Sequence, residues 1–191
     1  MVGNYPNFMK TDILRCFLKI DNNTSRRYLK KYLEIGEGTV KSILNILKNK
    51  KLISSTKKGH SLTEKGKLLK TKIEGIITVK KIDVRNLYPN YKKIGILIKD
   101  NKKIKIDYRL RDLAVKNGAE GALIFNYNNK LILPDYDKRD FKEIEKLFDL
   151  KNNNILVITF APSFKLAEYS GLSVLLEINK NINDLLERLI N

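Results

Sequence analysis

The sequence predicts an α+β protein, in which an N-terminal winged helix-turn-helix domain precedes a smaller α/β-type C-terminal domain. Three observations predict it. Apolar residues recur at helical spacing up to about position 80 and then give way to short β-branched runs alternating with helical ones. The charge divides at the same place: residues 1–80 hold 18 Lys and Arg against 6 Asp and Glu, a net of +12, and residues 81–191 hold 20 against 15, a net of +5. The stretch DVRNLYPNYKK, with Pro89 and two asparagines, reads as a turn-rich connection. The expected organisation is a head over 1–80, a linker over 81–92 and a second domain over 93–191.

In the head, a first helix is expected from about Thr11 to Ile20, with Ile13, Leu14, Phe17 and Leu18 on one face. Asp21, Asn22 and Asn23 make a turn. Thr24 or Ser25 caps a second helix whose inner face is Leu29, Tyr32 and Leu33. The stretch IGEGTVKSILNIL follows. Its two glycines could open a phosphate-binding loop, but such a loop needs a buried strand before them and a third glycine after them. Here an amphipathic helix precedes Gly36 and position 41 is Lys, so the glycines read as the turn of a helix-turn-helix, with Gly36 a C-cap. The third helix presents Val40, Ile43, Leu44 and Leu47 at i, i+3, i+4 and i+7. A strand over 51–56, a basic tip KKGH (57–60) and a return strand over 61–62 form the wing, and Thr63 caps a fourth helix over 64–74.

In the second half, a strand is expected over 93–99 and a helix over 108–119 closed by Gly118. A hairpin turns at Asn128-Asn129, and a helix covers 139–148. The continuous apolar run NILVITFAP marks a strand buried on both faces, with a helix starting near Ser163. Residues 170–179 fit helix or strand, and 182–190 fit a terminal amphipathic helix.

A net charge of +17 points to a polyanionic partner, nucleic acid before an anionic membrane surface. A Lys-, Ile- and Asn-rich composition can also follow from genome bias or a hot habitat. No apolar run approaches the ~20 residues of a membrane span, and no signal pattern opens the chain, so a cytoplasmic protein is expected. The single cysteine, Cys16, rules out an intrachain disulfide and reads as a core residue. One histidine, His60, leaves neither a zinc set nor a Ser-His-Asp set to build, so no metal, no cofactor and no enzymatic activity are expected. Asp135, Asp137 and Asp140 match no calcium-loop spacing and read as a solvated turn.

The stretch SRRYLKKYLEIGEGTVKSILNILKNKKLISSTKKGHSLTEKG (25–66) resembles the core of archaeal winged-helix transcriptional regulators. Within that class it resembles a small archaeal family whose winged-helix head precedes a C-terminal domain of unassigned function. RDLAVKNGAEGALIFNYNNKLILP (111–134) resembles that family's second domain, and the two stretches cover about a third of the chain. The resemblance implies a DNA-binding head and neither a reaction nor a ligand. The chain departs from the class at Lys51, where many winged helices carry Gly.

The polar face of the third helix carries Thr39, Lys41, Ser42, Asn45 and Lys48. In a recognition helix Lys41 would donate to guanine and Asn45 would pair with adenine, while Thr39 and Ser42 would reach a base or phosphate. Lys57, Lys58 and His60 at the wing, with Arg26 and Arg27 at the start of the second helix, are candidates for backbone contacts. Arg109, Arg111, Asp112 and Lys116, before Gly118 and Gly121, are a candidate small-molecule effector site or a set of surface ion pairs. The expected function is a DNA-binding transcriptional regulator acting as a homodimer on double-stranded DNA. An RNA-binding accessory protein, or an enzyme with its site in the C-terminal domain, remain the alternatives.

Overall fold

A computed structural model describes residues 8–84, 86–99, 106–134 and 140–190. The chain divides into two compact units, Met1–Ile73 with Asn181–Asn191, and Glu74–Lys180. The α+β class holds. The second unit is the longer of the two rather than the smaller, and the strand pairings of its sheet are antiparallel.

The first unit contains α1 (Lys10–Leu18), α2 (Arg26–Leu33), α3 (Glu37–Asn49), the hairpin β1 (Ile53–Thr56) and β2 (Gly59–Leu62), most of α4 (Glu64–Ile76), and α8 (Lys180–Ile190). Of the core faces read from the sequence, Ile13, Leu14 and Phe17, Leu29 and Leu33, then Val40, Ile43, Leu44 and Leu47 are buried, while Leu18 and Tyr32 are only half-buried. Helix α1 is buried at every position from Thr11 to Phe17, including Arg15, whose guanidinium is 1% exposed. Its Nη1 donates to the Leu33 carbonyl at 3.2 Å and lies 3.7 Å from the Asp12 carboxylate, which itself accepts the Met9 N–H at 3.1 Å. Cys16 is buried beside it. Desolvation pushes its thiol up to about 12, opposed by Arg15 and reinforced by Asp12, so it stays protonated and inert.

The caps correct the expected turn. Ser25, not Thr24, caps α2, accepting the Tyr28 N–H at 3.1 Å, while the Thr24 hydroxyl accepts from Asp21 N. The left-handed residue closing α2 is Glu34 (φ 53°), and Gly36 is the extended N-cap of α3 rather than the C-cap of α2. At the other end of α3, Lys51 takes φ 59°, the conformation glycine adopts without steric cost. Its N–H bonds to Lys48 O and the next N–H, of Leu52, reaches back to Leu47 O. Thr63 caps α4 as expected. Gly66 one turn in is required: a Cβ there would lie 2.0 Å from the Leu52 carbonyl oxygen.

The second unit is a five-stranded sheet in the order β3-β4-β7-β5-β6, formed by β3 (Ile77–Ile82), β4 (Lys92–Ile98), β5 (Gly121–Asn128), β6 (Lys130–Ile132) and β7 (Ile155–Ala161). Central β7 is buried at all seven positions, as its unbroken apolar run requires. The long helix α7 (Phe164–Ile178) resolves the ambiguous 170–179 as helix, capped by Ser163. Gly171 lets it approach the sheet, where a Cβ would meet Ile96 and Thr159 at 2.9–3.0 Å. Helix α5 spans Tyr108–Lys116 and Gly118 follows at φ 98°, while α6 is only Lys142–Glu145 where a ten-residue helix was expected.

Two boundaries move. Residues 81–92 are not a linker: β3 pairs with β4 over Ile77 to Ile82, and Val84 and Leu87 join the cluster of Leu97, Phe125, Phe148 and Leu156. The terminal helix α8 belongs to the first unit rather than the second. Lys10 Nζ bonds to Asn183 and Glu187, Lys50 Nζ donates to the Arg188 carbonyl at 2.9 Å, and Ile182 and Leu186 are buried.

Two stability changes follow from the glycine geometry. Gly66→Ala lowers stability by about 2 kcal/mol or more, because a backbone oxygen cannot move aside as a side chain can. Lys51→Gly raises it by up to about 1 kcal/mol through relief of the left-handed backbone. Urea midpoints of the two variants should move in opposite directions at an unchanged m value.

Candidate nucleic-acid interface

The apolar stripe of α3 packs inward, so its remaining positions must face solvent. Lys41, Ser42, Asn45 and Lys48 are exposed, and Thr39 is half-buried beside the turn. Lys41, Asn45 and Lys48 stand one turn apart along the helix. The Ser42 hydroxyl donates to Gly38 O at 3.1 Å, leaving its lone pairs outward. Gly36 and Gly38 keep the start of α3 bare: a Cβ at 38 would meet nothing within 4 Å, so a large surface can approach the helix there.

Arg26 and Arg27 are exposed at the start of α2. Arg26 lies 3.9 Å from Glu37 and Lys30 lies 4.0 Å from the same carboxylate, distances and exposures at which such pairs contribute little. Tyr28, 49% exposed on the same helix, stacks on Tyr32 and was not anticipated from the sequence. Its place beside the Ser25 cap was the available signal.

The wing differs from expectation in its bounds: the first strand starts at Ile53 rather than at position 51, and the return strand starts at Gly59 rather than at position 61. Thr56 pairs with Gly59, so the tip is Lys57-Lys58 alone, both exposed, and His60 lies within β2. His60 is held twice. Its backbone exchanges hydrogen bonds with Thr24 at 2.8 and 2.9 Å, and its Nδ1 meets Ser55 Oγ at 2.8 Å. Gly59, at φ 138°, permits this: a Cβ would strike the Asn23 and Thr24 backbone at 2.6–2.9 Å. The hairpin is thereby stitched to the turn before α2, which fixes the wing relative to α3. Partial burial lowers the His60 pKa below its usual 6.5, and the charges of Arg26 and then Lys48 lower it further. Three candidates from α2, α3 and β2 therefore share one electrostatic neighbourhood.

The second-unit candidates separate. Arg111, Asp112 and Lys116 line an open groove together with Tyr88 and Phe160. Arg109 does not line it and faces Asp107 at 3.6 Å. Tyr88, at φ 49°, stacks on Phe160 with ring centroids 3.9 Å apart, and Gly121 makes room for the Phe160 ring. Neither aromatic was anticipated, since Tyr88 lay in the supposed linker. Asp140 pairs with Lys142 at 2.8 Å, and hydrogen bonds from Lys142 hold its carboxyl below the usual range. Asp135 and Asp137 lie outside the described residues. Among the described residues no helix is long and apolar enough to cross a membrane.

Residues 11–68 match the family model of the PH0730-like N-terminal domain, and residues 89–178 match that of a domain of unknown function, DUF4443. Among solved structures, the hypothetical protein PH0730 from Pyrococcus horikoshii OT3 is similar over 95% of this chain and 99% of its own, at 27% identity and a TM-score of 0.81. No curated protein matches.

The lowered His60 pKa has a definite sign. The neutral ring is favoured in the fold, so its contribution to stability is present above the unfolded value near 6.5 and is lost as pH falls towards the folded value. An NMR titration of the ring should give an apparent pKa below 6.5 in the native protein. Lys48→Gln and Arg26→Gln should each move it upward without changing the fold.

Proposed function

We propose that this chain is a DNA-binding transcriptional regulator. Its head reads duplex DNA through α3, and its second unit dimerises or senses a small molecule. The observation that carries the reading is the solvent face of α3, where Lys41, Ser42, Asn45 and Lys48 stand opposite a fully buried apolar stripe. A major groove about 12 Å wide admits such a helix, and Lys and Asn are side chains that discriminate guanine and adenine there. Lys57 and Lys58 on the anchored wing, with Arg26 and Arg27 on α2, supply phosphate contacts that set register. The resemblance between this chain and a hypothetical archaeal protein is compatible with the proposal but carries no function of its own.

Mobility-shift titrations against genomic fragments at several salt concentrations test it. Six to ten phosphate contacts give a log–log salt slope of about −5 to −9. Lys57→Ala and Lys58→Ala should weaken every fragment alike and flatten that slope. Lys41→Ala and Asn45→Ala should each cost about 1–3 kcal/mol on the preferred fragment only. Equal affinity for every fragment, or stronger competition by structured RNA than by duplex DNA, would overturn the reading. A phosphate beside His60 would offset the field of Arg26 and Lys48 and raise the ring's pKa, so binding takes up a proton. Affinity should then rise as pH falls from 8 to 6.

A further inference from the structure

Helix α2 carries two polar edges, one on each side of its buried stripe. Leu29 and Leu33 point into the core. At about 100° per residue, Arg26 and Lys30 fall on one side of that stripe. Glu37 of α3 lies near both, at 3.9 and 4.0 Å. Tyr28 and Tyr32 fall on the other side, with Lys31 beside them on the helix surface. Arg27 sits on the crest between the two edges. The edge beside α3 belongs to the duplex reading, and the tyrosine edge has no part in it.

That second edge is a ladder of rings and cations. The Tyr28 and Tyr32 rings stack with centroids 6.2 Å apart and planes 24° from parallel. Lys19 Nζ of α1 sits over the Tyr32 ring at 4.7 Å, and the Arg15 guanidinium carbon lies 5.9 Å from the same centroid. Tyr32 is half-buried and held by these contacts, while Tyr28 at the end of the ladder is 49% exposed. Helix side chains lean toward the N-terminus, so Tyr32 backs the Tyr28 ring from its C-terminal side. The opposite face of the ring looks past Ser25, which is itself exposed. A ring already held from behind loses little further freedom when a partner stacks on it.

The charge identifies the partner. Arg27 and Lys31 are exposed, α2 contains no acidic residue, and among the described residues neither cation has a carboxylate partner. An exposed aromatic face beside free cations suits a polyanion that also carries flat rings, which is nucleic acid. An acidic peptide answers the charge alone. A duplex also answers the charge, but its bases are stacked on each other, so a protein ring gains only from a base outside the double helix.

We propose that the tyrosine edge of α2 binds single-stranded nucleic acid, with an unpaired base stacked on the Tyr28 ring and the adjoining phosphates on Lys31 and Arg27. This surface goes beyond the duplex reading and does not rest on it. Fluorescence anisotropy of a labelled (dT)12 strand, titrated with the full chain at about 50 mM salt, tests it. An abasic strand of the same length carries the phosphates without the bases and should bind about fivefold more weakly or worse. Tyr28→Ala should weaken (dT)12 by the same factor and leave the abasic strand unchanged, whereas Tyr28→Phe should bind as the native chain does. Tyr108→Ala, at a tyrosine 70% exposed on the second unit, should change neither. Lys31→Gln should weaken both strands alike and flatten the salt dependence. Equal affinity for (dT)12 and the abasic strand overturns the proposal. So does native (dT)12 affinity in a cooperatively unfolding Tyr28→Ala variant, or displacement of (dT)12 by polyglutamate of equal charge as readily as by unlabelled (dT)12. Tyr28-dependent binding of (dT)12 by a protein with no preference among duplex fragments would instead count against the duplex reading and leave this site standing.

Discussion

A helix end buried in a core presents carbonyls with no partner in their own helix, and a buried guanidinium needs acceptors. In the first unit each requirement answers the other. Arg15, with its guanidinium inside the core, donates to Leu33 O at the last residue of α2. Asp12 is held by the Met9 N–H and supplies the counter-charge, and the Tyr32 ring lies 5.9 Å from the guanidinium carbon. The chain can turn at Glu34 and start α3 three residues later because the end of α2 is fixed in this way. Loss of the cation would leave a carboxylate and a carbonyl buried without it, which ordinarily costs about 3–5 kcal/mol. The aim of α3 therefore rests on a charge in the interior rather than on the glycines of the turn.

Helices α2 and α3 were legible because each buries a single stripe, and stripe spacing is a local property. Ser163, Thr63 and Asn129 were legible for the same reason: a cap or a turn is decided within three or four residues. Arg15 was not, because its partner Leu33 lies 18 residues away and a lone arginine in an apolar stripe looks like a solvated one. Strand β3 was missed because ITVKKI carries two exposed lysines, as suits the edge of a sheet. The supposed linker failed as a reading since Pro89 and its asparagines mark a turn, and a turn can lie on a core as readily as between domains. Of the candidate contact residues, the face of α3 followed from periodicity alone. The position of His60 inside β2 depended on a bridge to Thr24, which no local pattern encodes.

Charge is used differently in the two units. On the head, burial lowers the His60 pKa, and Arg26 of α2 and Lys48 of α3 lower it further. On the second unit, several lysines pack against rings or tether carbonyls. Lys81 and Lys92 lie over the Phe164 ring at 4.2 and 5.7 Å, Lys80 donates to Leu147 O, and Lys93 is buried against Tyr91 O. Net charge alone would treat these cations as equivalent.

The return of α8 to the first unit has a consequence for the order of folding. Lys10 is bonded to Asn183 and Glu187, 173 and 177 positions away along the chain. A ribosome therefore releases the whole second unit before it supplies the helix that completes the first. The head, although encoded first, is finished last, and its final closure is a long-range search rather than a local event. Until that helix emerges, the nascent head carries an unfilled site for Ile182 and Leu186. The unit that reads as an independent module is thus built from two separate stretches of the chain.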